Sequence, residues 1–173
     1  MNETIKTLIE RRSIRKFKSE QIKDKELDLI LKVGTYAASG RGAQSPIMVV
    51  VQDKETIYKL SKMNASVMGS DNDPFYGAPT VIVVLADKQR GTCIEDGSLV
   101  IGNLMNAAAS INVGSCWIHR AYEVFESDEG KELLKQWGIK GDYRGVGHCI
   151  LGYADCDDLE AKDRKEDYIY YIK

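Results

Sequence analysis

The hydrophobic positions in the first part of the chain follow the period of an α-helix. Ile5, Leu8 and Ile9 lie at i, i+3 and i+4, which predicts a short amphipathic helix over residues 2–11 that ends in two arginines. Asp24 is predicted to cap the next helix. Similar patterns predict the remaining helices, over residues 24–38, 54–68, 98–113 and 127–137.

Short apolar runs rich in β-branched residues predict the strands. The run at 80–86 is apolar on both faces, as in a central strand that is covered on two sides. The run at 144–153 begins with glycines, which predict that another group approaches its backbone closely. The remaining strands are predicted at 47–51 and 115–119, and loops at 39–46 and 69–79.

The C-terminal residues 168–172 are strand-like and too apolar for a free terminus. We expect them to pair with a sheet, either in this chain or in a second subunit. The chain shows no repeat, linker or low-complexity segment, so one domain is predicted over residues 1–173. The order of helices and strands predicts an α+β sandwich with helices on both sides of a sheet.

Composition and charge mainly exclude other classes of protein. The net charge is −2, so a nucleic-acid partner is not expected. No apolar run approaches the roughly 18 residues of a membrane span, and the N-terminus does not resemble a secretion signal. The four cysteines form no C-x-x-C pair. We therefore expect reduced thiols in a soluble, cytoplasmic protein.

The densest local charge is the cluster Arg11, Arg12, Ser13 and Arg15, directly after the first predicted helix. Three guanidinium groups and a hydroxyl suit a small dianion such as a phosphate, because each planar guanidinium donates two parallel hydrogen bonds. The alternative is that these cations only complement the dipole at the end of the helix, for which one or two cations suffice. The cluster by itself leaves both interpretations open.

Other kinds of site find little support. The two G-x-G sequences, at 40–42 and 145–147, do not complete a dinucleotide-binding motif, and no P-loop motif is present. Cys116 and His119, like the adjacent pair at 148–149, are predicted to point to opposite faces of a strand, so no metal site is expected. Four carboxylates are interpreted as solvated loop and helix-cap groups: Asp71, Asp73, Glu95 and Asp96.

Five segments resemble, in the correct order, the motifs of the nitroreductase family. The first is Ile-Glu-Arg-Arg-Ser-Ile-Arg-Lys-Phe at residues 9–17, around the arginine cluster. The others are the loop and strand at 37–51, the loop and strand at 75–84, the helix and strand at 103–118, and residues 150–153 with basic residues downstream. One such match is weak, but five in order are specific. The chain is therefore identified as a member of that family.

The resemblance implies a three-layer α+β sandwich, with a central mixed sheet flanked by helices and a C-terminal strand that completes the partner subunit's sheet. It also implies a homodimer with FMN at the subunit interface. Such an enzyme passes hydride from NADH or NADPH through flavin N5 to a small acceptor, such as a nitroaromatic compound or a quinone. No catalytic side chain is implied, and none is assigned. The alternative is an FMN-binding protein that stores or senses flavin with little turnover.

The resemblance assigns part of the cofactor site to the arginine cluster. Arg11, Ser13 and Arg15 are expected to contact FMN, with Arg11 at the phosphate and Arg15 at the pyrimidine edge of the flavin. Arg12 stands where the family often has histidine or arginine, so a polar contact is expected there as well.

A second basic group is expected from the C-terminal tail. Arg164 matches the family's late phosphate-binding arginine. Asp163 replaces the proline that usually precedes it, so the register is open by a residue or two. Lys162 and Lys165 are therefore kept as alternatives.

The partner subunit is expected to cover the flavin with its loop at residues 39–43, with Gln44 close by. Contacts are assigned to Ser39, Gly40, Arg41 and Gln44. The Gly-Arg-Gly sequence of this loop departs from the commoner Pro-Ser-Ala-x-Asn form, so the resemblance leaves open which backbone groups touch the ring.

Two further segments are expected near the flavin ring. Ile118 and His119 align with the region whose backbone N–H faces flavin N5, although His119 or Arg120 replaces the usual glycine. Asn72 is the nearest candidate for an asparagine that the family places before the central strand. The aromatic pair at 75–76 is expected either to pack in the core or to shape the acceptor pocket.

Overall fold

Four strands form one antiparallel sheet in the computed structural model of this chain, which describes residues 1–157 and 159–173. The strands are β1 (Ile47–Val51), β2 (Thr80–Asp87), β3 (Gly114–Ile118) and β4 (Tyr143–Gly152). Their order across the sheet is β1-β2-β4-β3. All four lie where the hydrophobic pattern predicts them.

Helices cover both faces of the sheet. They are α1 (Glu3–Glu10), α2 (Asp24–Thr35), α3 (Lys54–Met68), α4 (Cys93–Ser110), α5 (Ala121–Glu126) and α6 (Asp128–Gln136). The sequence pattern does not predict α5, and α4 begins at Cys93 rather than at residue 98. None of the helices within residues 1–157 and 159–173 has both the length and the hydropathy needed to cross a bilayer.

The side chains of β2 alternate between two hydrophobic layers, because successive residues of a strand point to opposite faces. Ile82 and Val84 pack in the layer that includes α2 and α4. Val81, Val83 and Leu85 pack in the layer that includes α3, α5 and α6. All five side chains are fully buried. The expected central strand, covered on two sides in a three-layer sandwich, is therefore confirmed.

A short parallel pairing ties the segment after α1 to the edge strand β3. Ser13 and Ser115 form an isolated parallel bridge, and the N–H of Ile14 donates to the carbonyl of Ser115 at 2.9 Å. Within the described part of the chain this bridge is the only parallel pairing. The sheet is thus mixed only at this point and antiparallel between its strands.

Helix α2 starts differently from the sequence prediction. Asp24 is its first residue, and Lys23 takes the cap position. The Glu26 carboxylate accepts a 3.0 Å hydrogen bond from the Lys23 N–H. Because Glu26 reaches back to the cap residue, the helix start does not depend on Asp24 as a cap.

The glycines in β4 allow close approach, as predicted. A Cβ on Gly147 would lie 2.6 Å from Nε1 of Trp117 and 2.8 Å from Cδ1 of Ile101. A Cβ on Gly145 would collide with the carbonyl of Ala121 at the start of α5. Both faces of β4 therefore pack directly against their neighbours.

The C-terminal tail forms no strand among its described residues. The prediction that it pairs with the sheet of its own chain is therefore wrong. Its backbone makes only a short 3-10 turn at Glu166–Tyr168. The apolar side chains that follow are exposed: Ile169 65%, Tyr170 78%, Tyr171 79% and Ile172 100%. Pairing with a second subunit stays a prediction.

Candidate functional site

The arginine cluster, residues 11–15, contributes Arg11, Arg12 and Ile14 to the lining of a groove between α1, the C-terminal end of α4 and the start of β3, whereas Ser13 and Arg15 do not line it. The groove has a volume of about 840 Å³. Helix α1 ends where Arg11 takes an extended backbone conformation (φ −51°, ψ 131°). The bridge between Ser13 and Ser115 then holds the segment against β3. The cluster is therefore built on a fixed edge of the sheet.

Arg12 binds backbone carbonyls at the C-terminal end of α1. Its Nη1 donates hydrogen bonds of 2.8 Å to the carbonyls of Ile9 and Arg11. The last carbonyls of a helix have no partner within the helix, and a basic side chain satisfies them. For this residue, the helix-end interpretation is the one that the geometry supports.

The Nε of Arg12 is buried without a partner among the described residues as well. Arg11 differs because, in the described part of the chain, its side chain makes no hydrogen bond to a carbonyl at the helix end, and part of its guanidinium is buried. Its Nη1 makes no hydrogen bond within residues 1–157 and 159–173. A buried donor that is left unsatisfied costs about 1–3 kcal/mol, and more when it is charged. An anionic oxygen in the groove would remove that cost. Arg15 is exposed, and its Nη1 lies 3.5 Å from the carbonyl of Ser13.

The loop predicted to cover the flavin is tightly held. Gly40 donates its backbone N–H to Asp96 Oδ1 at 2.8 Å, and the Gln44 N–H donates to Ser39 Oγ at 2.9 Å. Arg41 and Gln44 have left-handed backbone angles, with φ of 55° and 50°. Such conformations are costly for residues with side chains and cluster at functional sites. The loop is therefore preorganised.

The loop and the arginine cluster lie at opposite ends of α4. Asp96, which binds the loop, is in the first turns of the helix, whereas Ser110, its last residue, lines the groove. At about 1.5 Å per residue, these two positions are roughly 20 Å apart along the axis. The loop and the cluster of one chain therefore do not form one pocket.

Strand β3 ends in a left-handed turn at Arg120 (φ 71°, ψ 12°). This is the conformation that glycine adopts freely. The Ile118 side chain is buried, so only its backbone is available to a ligand, and His119 is exposed. The N–H of Arg120 makes no backbone hydrogen bond in the part of the chain that is described.

The loop before β2 is organised by Asp73 rather than by Asn72. The Asp73 carboxylate accepts hydrogen bonds from the N–H groups of Phe75 (2.9 Å) and Gly77 (2.7 Å). It also accepts from the hydroxyl of Ser61 in α3, at 2.6 Å. Asn72 is exposed, and no contact brings it to the arginine cluster or to the end of β3 in the described structure.

His148 lies in the core, between Phe75 (ring centroids 5.2 Å apart) and Phe125 (6.0 Å). Burial lowers the pKa of His148 to about 4, and the charge of Arg120 acts in the same direction. Phe75 is therefore a core residue, and of the aromatic pair Tyr76, which is 41% exposed, is free to contact a ligand. No group of three metal-ligating side chains occurs in residues 1–157 and 159–173.

The basic residues of the tail lie apart from the cluster. The Arg164 side chain is exposed, and its Nε donates to the carbonyl of Lys162 at 3.1 Å. The Nζ of Lys165 lies 3.8 Å from Oδ1 of Asp167. The groove is lined by described tail residues only as far as Leu159. The structure of one chain therefore does not bring a tail cation to Arg11.

Comparison with known proteins decides the family. The family model described as "Nitroreductase family" matches residues 8–153. An Archaeoglobus fulgidus protein, named as a candidate NADH dehydrogenase/NAD(P)H nitroreductase, is 30% identical in an alignment 172 residues long, which covers 95% of this chain and 94% of that protein. The chain belongs to the nitroreductase family.

Solved structures of nitroreductases agree with this assignment. A nitroreductase with bound FMN from Bacteroides fragilis has a TM-score of 0.91 and 25% identity, and the match covers 100% of both chains. A nitroreductase with bound FMN from Desulfitobacterium hafniense has a TM-score of 0.89 and 28% identity, again over 100% of both chains. The three-layer sandwich is therefore the fold of this chain.

The sequence pattern does not predict the burial of two polar residues, Asp96 and Asn64. Asp96 is 2% exposed, so its interpretation as a solvated group is wrong. Its oxygens accept from Gly40 and from the hydroxyl of Thr92, at 3.1 Å. Asn64 is fully buried in α3 and binds the carbonyl of His119. Gly40 is 56 positions from Asp96, and His119 is 55 positions from Asn64, so local patterns carry no signal for these two contacts.

Proposed function

We propose that this chain is an FMN-dependent oxidoreductase that passes hydride from NADH or NADPH to a small acceptor, such as a nitroaromatic compound or a quinone. The observation that carries the proposal is the buried, unpartnered Nη1 of Arg11 at the edge of a large groove, in a chain of the nitroreductase family. A Bacillus subtilis relative, 31% identical over 116 residues, is named FMN reductase (NAD(P)H).

The residues around the groove fit the phosphate end of FMN. Arg11 offers a free, partly buried donor on the groove. Ser13 belongs to the same segment, which its bridge to β3 fixes, and its assignment to FMN rests on the family resemblance. A phosphate bound here satisfies the Arg11 donor through a charge-assisted hydrogen bond. We assign Arg15 to the flavin end and Arg12 mainly to the helix end, since Arg12 already donates to two carbonyls.

The site is complete only with a second copy of the chain. Because the loop at 39–44 and the arginine cluster lie at opposite ends of α4, we infer that the loop covers the flavin of the partner subunit. Helix α1 contains no buried residue, and its apolar Ile5, Leu8 and Ile9 are 46%, 53% and 58% exposed. An amphipathic helix with its apolar side in water is typical of a subunit interface. The exposed tail fits the same homodimer.

The protein acts by binding and orientation rather than through a catalytic side chain. When bound, FMN supplies the hydride chemistry between the nicotinamide donor and the acceptor. Arg11 and Ser13 hold the phosphate, and Arg15 places a positive charge near the pyrimidine edge. The left-handed turn at Arg120 presents a backbone N–H without a partner in the described chain, which suits a hydrogen bond to the flavin ring near N5.

The remaining assignments rest on the family resemblance. Arg164, with Lys162 or Lys165 as alternatives, is assigned to the phosphate and reaches it in the dimer. Asn72 is assigned to the flavin edge, although it is exposed in the single chain. The four free cysteines fit the predicted cytoplasmic location.

Turnover with a panel of acceptors tests the proposal. The protein is loaded with FMN, and NADH or NADPH oxidation is followed with nitroaromatic compounds, quinones and free FMN as acceptors. We expect one FMN per chain and turnover with several of these acceptors, because the groove is open. Binding of FMN without turnover for any acceptor would support flavin storage or sensing instead. Absence of FMN binding would exclude both functions.

A further inference from the structure

Asn64 connects helix α3 to the turn that follows β3. Its side chain is fully buried, and both ends of its amide are used. Nδ2 donates to the carbonyl of His119 at 2.7 Å, and Oδ1 accepts from Nε of Arg120 at 3.0 Å. One side chain therefore holds both the peptide before Arg120 and the Arg120 side chain.

The turn that Asn64 holds is strained. Arg120 has φ of 71°, in a region where a side chain collides with its own backbone and where glycine is favoured. Here the two hydrogen bonds of Asn64 oppose the tendency of Arg120 to relax into a right-handed or extended conformation.

The turn has little other support on its ligand side. His119 is exposed, and the N–H of Arg120 makes no backbone hydrogen bond within the described residues. Below the turn, the buried His148 ring packs between Phe75 and Phe125, and the backbone of Ile118 and His119 acts on it to raise its pKa against the larger lowering by burial. Asn64 is thus the side chain that holds both the carbonyl of the His119–Arg120 peptide and the Arg120 side chain, while the Arg120 carbonyl on the other side of the turn accepts from the Val124 N–H at 3.1 Å.

We propose that Asn64 is a positioning residue for flavin reduction, which clamps the His119–Arg120 peptide so that the Arg120 N–H points at the flavin near N5. This inference rests on the proposed function. Asn64 does not touch FMN and takes no part in holding the phosphate, which belongs to Arg11 and Ser13. Its loss therefore changes the reactivity of bound FMN more than its affinity.

The test compares Asn64→Ala with the native residue in two backgrounds, native Arg120 and Arg120→Gly. In the native background, N64A is expected to slow reduction of bound FMN by NADH or NADPH on the order of 10-fold, because a small misplacement of an orienting group is costly. We also expect a shifted reduction potential for bound FMN, with the FMN dissociation constant changed by less than about 2-fold. In the R120G background, glycine adopts the turn freely, so N64A is expected to change the rate by less than about 2-fold.

Two further variants serve as a second test and as a control. Asn64→Asp retains the acceptor for Arg120 but loses the donor to His119, and it replaces N64A in the test if N64A does not fold. We expect bound FMN to be reduced more slowly in N64D than in the wild type, and a wild-type rate with a wild-type potential in N64D would overturn the role of Asn64. Gln52→Ala is a matched control, because it removes a partly buried amide that donates to the hydroxyl of Thr80 at 3.1 Å, away from the turn.

Equal effects of N64A in both backgrounds, or a loss of FMN affinity without a change in the potential, would overturn the positioning role. The wild type separates this result from failure of the proposed function. If wild-type protein does not bind FMN or is not reduced by either nucleotide, the proposed function fails. If the wild type is reduced and N64A behaves like Q52A, only the role of Asn64 fails.

Discussion

The carboxylate of Asp96, at the start of α4, accepts a 2.8 Å hydrogen bond from the backbone N–H of Gly40. Asp96 is 2% exposed, and this contact joins the helix to the loop that is proposed to cover the partner's flavin. The same carboxylate also accepts from the hydroxyl of Thr92. A buried acidic residue thus fixes a loop whose Arg41 has a left-handed backbone.

Replacing Asp96 by alanine is expected to loosen that loop. The Gly40 N–H loses its partner, so the free energy of unfolding is expected to fall by about 1–3 kcal/mol. FMN affinity is expected to fall as well, because the loop is no longer preorganised. Chemical denaturation and FMN titration measure both effects. Glu95→Ala, at the exposed neighbouring position, is the control, and equal FMN affinity in the two variants would contradict the role of Asp96.

Substitutions of the two arginines at the end of α1 are expected to change different quantities: FMN affinity for Arg11 and the free energy of unfolding for Arg12. Arg11→Ala removes the free donor, and FMN affinity is expected to fall roughly 10- to 100-fold, as for one charge-assisted hydrogen bond. Arg12→Ala removes two bonds to carbonyls. It is expected to lower the free energy of unfolding of the apoprotein by about 1 kcal/mol. If R11A keeps native FMN affinity but loses stability, the helix-end interpretation holds for Arg11 too.

Hybrid dimers test whether each flavin site is shared between subunits. One protomer carries R11A, and its partner carries Gly40→Val, whose side chain collides with that of Thr92 and distorts the loop. If the loop acts across the interface, the native Arg11 of one chain and the native loop of the other still form one intact site. We expect one tightly bound FMN per hybrid dimer and weak binding in both parent homodimers. No recovery in the hybrid would place both elements in the site of the same chain.

The buried His148 predicts a loss of stability in mild acid. Its pKa in the folded protein is about 4, below the ordinary value of 6.5, so between these pH values the unfolded chain binds the proton and the folded chain does not. Stability is therefore full above pH 6.5 and falls as the pH drops towards 4, by roughly 3 kcal/mol for this group. His148→Phe is expected to flatten the dependence of the melting temperature on pH over that range. His119→Gln, at an exposed position, is the control, and equal slopes for H148F and H119Q would refute the prediction.

The parts of the fold that follow from local pattern are predictable from the sequence. β2 is apolar on both faces, and the covered central strand follows from that alone. Helix α5 is a single short segment of six residues, too short for a period to show. The hydrophobic pattern does not predict that α4 begins at Cys93, because Glu95 and Asp96 in its first turn are residue types that usually face solvent.

The candidate site is less predictable, because its geometry depends on distant contacts. The sequence identifies the arginine cluster, but only the structure shows that Arg12 donates to helix-end carbonyls and that Arg11 does not, although each has one buried nitrogen without a partner among the described residues. The burial of Asp96 and Asn64 depends on loops far away in the sequence. The tail is exposed in one chain, and its apolar residues acquire a partner only in the proposed dimer.

Anaerobic mixing of the FMN-loaded protein with NADH or NADPH tests the central proposal most directly. We predict that at least one nucleotide bleaches the visible absorbance of the bound flavin and that a nitroaromatic compound or a quinone then restores it. An FMN-loaded protein whose absorbance neither nucleotide changes would contradict the assignment as an oxidoreductase.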